Sequence, residues 1–189
     1  MTQIPVKPAK WTVERYNQAV EAGVFADWAV ELLDGEIFEM SPEGPLHSGL
    51  VSAAQDDLIN IFAGWAKVRV GHPVTLKRSS PEPDIAIVRL DPGEYLDRHP
   101  RNDDILLLIE FSDSSLTLDT RGLKYQIYVS ERIQDYWVVN LKRRVLRVYR
   151  DPQDGEYQSQ QELVEGTMSP LALPDVAIDV ARLLKRDMI

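Results

Sequence analysis

The chain has 189 residues, 44% of them hydrophobic, enough to enclose the core of one domain and with no sign of a second. It holds no cysteine, which excludes disulfides, thiolate zinc sites and a cysteine nucleophile. Its net charge of -9 runs against the basic footprint usual in nucleic-acid binders, so any surface of that kind must be local.

No basic segment followed by an apolar run opens the chain, and no apolar stretch approaches the roughly 20 residues of a membrane span, so a soluble cytoplasmic protein is expected. Residues 1–10, with Pro5, Lys7 and Pro8, read as an extended arm before a single domain over 11–189. Thr12 is placed to cap a helix from Val13 to Ala22 that stops near Gly23, although Arg15 stands where a capping box would carry Glu. Apolar runs on either side of Asp34-Gly35, from Trp28 to Leu33 and from Glu36 to Met40, predict a hairpin.

A long helix is expected from His47 to Ala66, with Leu50, Val51, Ala54, Leu58, Ile61, Phe62 and Trp65 forming one apolar stripe. Short strands follow at Val68–Val70, Val74–Leu76 and Asp84–Val88, then a polar loop from Asp91 to Asp104. The almost wholly apolar run from Ile105 to Phe111 predicts a strand covered on both faces. A helix from Asp119 to Ser130, a buried strand over Tyr136–Asn140, a meander over Val145–Tyr149 and Tyr157–Leu163, and a last helix from about Asp175 to Leu184 complete the order. Such an order fits an α/β fold, a central mixed sheet flanked by helices.

An unpaired carboxylate inside an apolar strand is costly, and two acids stand out on that ground. Asp84 opens Ile-Ala-Ile-Val directly after Pro83, and Glu110 sits between Ile109 and Phe111. On neighbouring strands the two would converge at one end of the sheet, where a divalent cation between them relieves their repulsion. The plainer alternative is that Asp84 caps a turn and Glu110 pairs with a lysine or arginine. Lys124, on the helix after the Glu110 strand, can fold back over that strand's end and orient a water or offset phosphate charge; equally it could be a surface lysine. Tyr128 lies one turn on, on the same face. His47, at the start of the long helix, is either a supporting ligand or a capping residue.

Lys142, Arg143, Arg144, Arg147 and Arg150 lie in a stretch without acids. They are candidates for phosphate contacts on a strand, or else the charges of a solvated edge hairpin. Ser112 to Ser115 lacks a Gly-x-Ser-x-Gly elbow and a histidine partner, and no phosphate-cradling glycine loop occurs, so serine hydrolysis and nucleotide-dependent chemistry are disfavoured.

In one order the chain carries Glu31-Leu-Leu-Asp34-Gly35-Glu36, Met40-Ser41-Pro42, Gly44 and His47. Pro83-Asp84, Ile109-Glu110-Phe111-Ser112-Asp113-Ser114-Ser115, Asp119 with Lys124 and Tyr128, and Asp135-Tyr136-Trp137-Val138-Val139 follow. Taken together they resemble the Uma-type family of restriction endonucleases in the PD-(D/E)XK nuclease superfamily, from about residue 11 to residue 184. The resemblance implies a restriction-endonuclease-like core and an endonuclease that hydrolyses DNA phosphodiester bonds with a metal-activated water. Asp84, Glu110 and the Phe111 carbonyl would hold Mg2+ or Mn2+. Lys124 would assist, with Glu36, His47, Ser112 and Tyr128 in support, in a possible homodimer. Ser112 stands where the superfamily carries its lysine, so Lys124 would supply the ammonium from the helix instead. Glu82, before Pro83-Asp84, and Arg132, where family members often have glycine, are further departures. A catalytically silent relative that keeps the fold to bind nucleic acid or protein is the alternative.

Overall fold

A computed structural model of the chain describes residues 8–112 and 122–185. Helix α1 (Val13–Glu21) starts where the Thr12 hydroxyl accepts the Arg15 N–H at 3.3 Å. Strands β1 (Val30–Leu33) and β2 (Glu36–Glu39) form the expected antiparallel hairpin. Its Asp34-Gly35 corner has φ of 46° and 78°, the left-handed pair that a two-residue primed turn requires. A Cβ on Gly35 would meet the Lys10 Cβ at 2.9 Å, so this corner also needs glycine for space.

Helix α2 (Pro45–Ile61) buries Leu50, Val51, Ala54 and Leu58 as expected, but it stops short of Ala66. Gly64, at φ 79°, turns the chain away, and Trp65 is left 59% exposed rather than on the apolar stripe. Strands β3 (Lys67–Val70) and β4 (Ile85–Val88) pair antiparallel. The strand expected at Val74–Leu76 is corrected to a loop with one isolated bridge, Thr75 to Arg101. The Val74 and Leu76 N–H groups are already satisfied locally, by Pro81 O at 3.0 Å and Ser79 O at 2.9 Å, so no sheet ladder is needed there.

Strand β5 (Ile105–Ser112), helix α3 (Leu123–Ser130) and strand β6 (Asp135–Asn140) form a strand-helix-strand unit with β5 and β6 parallel. Asp113, Ser114, Ser115, Asp119 and the expected first turn of the α3 helix lie outside the described residues. Strands β7 (Val145–Gln153) and β8 (Glu156–Leu163) add an antiparallel meander. The short strands β9 (Thr167–Met168) and β10 (Ile178–Asp179) pair with each other and lead into α4 (Val180–Leu183). The last helix therefore begins at Val180 rather than near Asp175; Asp179 caps it, accepting the Arg182 N–H at 2.9 Å.

The main sheet has the order β3-β4-β5-β6-β7-β8 and is mixed, with helices on its faces. Residue parity divides its side chains. Ile85, Ile87, Leu107, Ile109, Phe111, Trp137 and Val139 pack with α2 and α4. Ala86, Val88, Leu108, Tyr136 and Val138 pack with Tyr125, Ile127, Tyr128 and Val129 of α3. Among the described residues no helix is long and apolar enough to cross a membrane.

Helix α3 ends in a Schellman motif, with Ile133 N–H donating to Tyr128 O at 2.9 Å and Arg132 N–H to Val129 O at 3.0 Å. Arg132 takes the left-handed position at φ 58°, where a side chain is penalised. Arg132→Gly should raise stability by about 0.5 kcal/mol, the strain relieved less the entropy glycine adds to the unfolded chain. Chemical denaturation of the two proteins side by side checks this.

Candidate metal and active site

The register of β4 and β5 decides where the acids meet. Ile85 pairs with Ile109, so Asp84 and Glu110 occupy the next positions outward on the two strands. Glu110 shares the parity of Leu108 and points to the α3 side of the sheet, while Phe111 N–H donates to Asp84 Oδ2 at 2.5 Å. Asp84 Oδ2 also lies 3.1 Å from His47 Nε2, in the first turn of α2. The plain alternatives for these acids are thus partly realised: Asp84 does tie down a backbone amide, and Glu110 does pair with a lysine.

That lysine is Lys124. Its Nζ stands 3.3 Å from Glu110 Oε1 and 3.3 Å from Glu31 Oε2, and donates to Glu82 O at 2.8 Å. The α3 crossover between the parallel strands carries Lys124 to the end of β5, the place left without an ammonium by Ser112. One turn further on, the Tyr128 hydroxyl donates to Glu110 Oε1 at 2.9 Å. Asp84, Glu110, Phe111, Lys124, His47 and Ser112 line one cavity of about 330 Å³ with Glu31.

Sequence reasoning missed Glu31, and Glu43 beside His47 as well. Glu31 lies in β1, a strand buried along its whole length, and is itself only 8% exposed. Besides meeting Lys124, its Oε2 accepts the Glu82 N–H at 3.0 Å. It was legible by the rule that picked Glu110, an acid between apolar neighbours Val30 and Leu32. Glu36, by contrast, stands on the exposed side of the hairpin and pairs with Lys10 at 3.3 Å, away from the cavity. Glu82 enters chiefly through its backbone, its N–H and carbonyl both engaged.

The basic stretch does not join the site. Residues 141–144 form a turn, with Arg144 at φ 51°, rather than the start of a strand. Arg144 donates to Leu184 O at 2.5 Å, Arg147 pairs with Glu162, and Arg150 pairs with the buried Asp135 at 2.8 Å. Arg143 lies 3.8 Å from Glu162, and Lys142 is exposed on the turn.

Electrostatically the cavity gathers acids. Burial pushes Glu110 up from the usual carboxylate range, with Lys124 opposing and Asp84 and Glu31 adding to the rise. Burial also lowers Lys124, yet Glu110, Glu31 and Asp84 outweigh it and leave the ammonium more basic than usual. The hydrogen bond to Asp84 raises His47 from 6.5 to about 9, against the effect of burial. Hard oxygen donors on facing elements suit a divalent cation. Glu43, His47 and Asp84 each offer a ligand atom, all within 4.8 Å of one another, and Glu110 stands on the neighbouring strand next to Asp84 in register, lining the same cavity.

A family model named Uma2, described as "Putative restriction endonuclease", matches residues 13–181. The chain belongs to the Uma2 family. Its fold is similar to that of a solved structure titled "a putative nuclease belonging to DUF820" from Anabaena variabilis. That chain is 18% identical, with a TM-score of 0.63, covering 84% of this chain and 91% of that one. No curated protein matches this chain. Membership of Uma2 makes the chain nuclease-like and accounts for the mixed sheet and its flanking helices.

The His47–Asp84 contact gives metal-free Uma2 protein a pH signature. His47 is more basic folded than unfolded, so its contribution is fully present below about pH 6.5 and fades as pH rises through about 9. In chelator, denaturation midpoints should fall over that window in the wild type, and His47→Gln should remove this part of the slope. Parallel curves for the two proteins would contradict it.

Proposed function

We propose that this Uma2 chain is an endonuclease that hydrolyses DNA phosphodiester bonds with Mg2+ or Mn2+ bound at Asp84 and Glu110. The observation that carries the reading is the placement of Lys124, whose ammonium reaches the Glu110 carboxylate from a separate helix at the mouth of a cavity that Asp84 also lines. A purely structural ion pair has no need of such an opening or of a surplus of acids around it.

The donor set fits a divalent ion, with the Asp84 and Glu110 carboxylates and the Phe111 carbonyl as its proposed ligands and Glu43 and His47 beside them. A bound ion would supply Lewis-acid activation of water and neutralise charge on the phosphate. The chain's own residues do the positioning. Phe111 N–H and His47 fix the Asp84 carboxylate, and the Tyr128 hydroxyl and Lys124 fix that of Glu110. Glu110, Glu31 and the Glu82 carbonyl take the three ammonium hydrogens of Lys124 and hold it at the cavity, where its charge offsets that of a phosphate and where exchanging one 3.3 Å contact lets it orient the attacking water.

Plasmid and single-stranded DNA incubated with Mn2+ or Mg2+ test this. Wild type should cut, Asp84→Ala and Glu110→Ala should lose at least about 100-fold, and Lys124→Ala roughly 10–1,000-fold, the range for one lost charge-stabilising donor. Circular dichroism confirms that each variant is folded. Cutting retained in both carboxylate variants would remove the proposed site. DNA binding without cutting in any protein would favour the catalytically silent reading.

A further inference from the structure

Arg69 lies on β3, the edge strand next to β4, and is partly buried. Other arginines on or beside the main sheet are engaged: Arg98 with Asp91 and Asp104, Arg147 with Glu162, Arg150 with Asp135, and Arg89 with Asp103 O. The Arg69 side chain forms no hydrogen bond or ion pair among the described residues, and its Nε is buried without a partner. Its guanidinium stands 5.6 Å from the centre of the Tyr95 ring, and Arg98 stands 4.9 Å from the same centre. Leaving a cation half out of water and unpaired is unfavourable unless an anion completes it. Burial accordingly lowers the basicity of Arg69.

Burial depresses His99, with Arg69 and His72 adding to the fall. His72 follows Gly71, whose N–H donates to Asp84 O at 3.1 Å, which ties this end of β3 to the proposed metal site. The register sets Arg69 opposite Ala86, two residues from Asp84 and of the same parity. Strand geometry then puts the Arg69 and Asp84 α-carbons about 8 Å apart. That separation is comparable with the step between neighbouring phosphates of a nucleic-acid strand.

We propose that Arg69 is a phosphate subsite that holds the DNA backbone one step from the bond being cut. It rests on the nuclease reading, and it supplies local positive charge on a chain of net charge -9. A guanidinium already set against an aromatic ring keeps its fork oriented, which favours a planar two-point contact with phosphate oxygens. Acids Glu14, Glu21 and Asp97 line the neighbouring recess that His99 also borders, so the strand is expected to run on the β3 side and not through that recess.

The test is fluorescence anisotropy with a labelled 20-base-pair duplex, in chelator to prevent cutting, across a series of KCl concentrations. Wild type, Arg69→Met and Arg69→Lys are compared as full chains, with melting temperatures recorded. Arg69→Met should bind several-fold more weakly, and its log K against log[KCl] slope should be shallower by about 1, one phosphate contact. Arg69→Lys should keep most of the slope, and Arg69→Gln takes the place of Met in the comparison if the Met variant does not fold. Unchanged affinity and slope in the Met variant, or a Lys variant as shallow as Met, overturns the subsite; metal-dependent cutting lost in Asp84→Ala would then still uphold the nuclease reading. If wild type does not bind the duplex, the DNA subsite falls, and metal-dependent plasmid cutting decides the nuclease reading separately. In that case, inorganic phosphate raising the melting temperature of wild type but not of Arg69→Met would assign Arg69 to free phosphate.

Discussion

Two carboxylates held side by side at the open end of one antiparallel pair govern how this domain is put together. Asp84 and Glu110 extend the β4–β5 ladder by one position, so the register that buries Ile85 against Ile109 also forces the two acids together. Like charges so placed are tolerated only with compensation. Each neighbouring element brings some. The first turn of α2 carries His47, the α3 crossover demanded by the parallel β5–β6 pair carries Lys124 and Tyr128, and β5 itself turns the Phe111 amide to Asp84. The hairpin instead adds a further acid, Glu31, whose part is to hold Lys124 from the other side.

Asp135 makes the contrast that separates structure from function here. It too opens an apolar strand, and burial pushes its carboxyl up. Yet Arg150, the Trp137 indole and the Leu171 amide saturate its oxygens, and its side chain is 0% exposed. Asp84 and Glu110 keep 15% and 13% of their side chains exposed and face a cavity in which acids outnumber cations. A closed pair is a staple, whereas an open one with spare oxygens has somewhere to put a ligand.

What the sequence made legible follows from local rules. Asp34-Gly35 could only be a tight corner, Thr12 a cap, and Glu110 an acid that needed a reason to sit among isoleucine and phenylalanine. The misses involve partners remote in sequence. The basic stretch from Lys142 to Arg150 looks like a free patch until Glu162 and Asp135 arrive from other strands. Glu31, between Val30 and Leu32, lies within reach of the rule that picked Glu110, but its pairing with Lys124 depends on how the hairpin packs, which also leaves Glu36 exposed. Val74 to Leu76 has strand-like residues whose amides are satisfied by a local loop, an outcome that alternation does not encode. Arg69 carries no mark at all in the sequence; its interest lies in contacts it does not make.

The central claim is that the Asp84–Glu110 end of the sheet is a divalent-cation site. Crystals of the wild-type chain soaked in Mn2+, with anomalous diffraction collected at the manganese edge, test it most directly. The account predicts a peak coordinated by both the Asp84 and Glu110 carboxylates and absent from Asp84→Asn crystals treated alike. A peak that leaves Glu110 uncoordinated, or no peak in the cavity at saturating Mn2+, would contradict it.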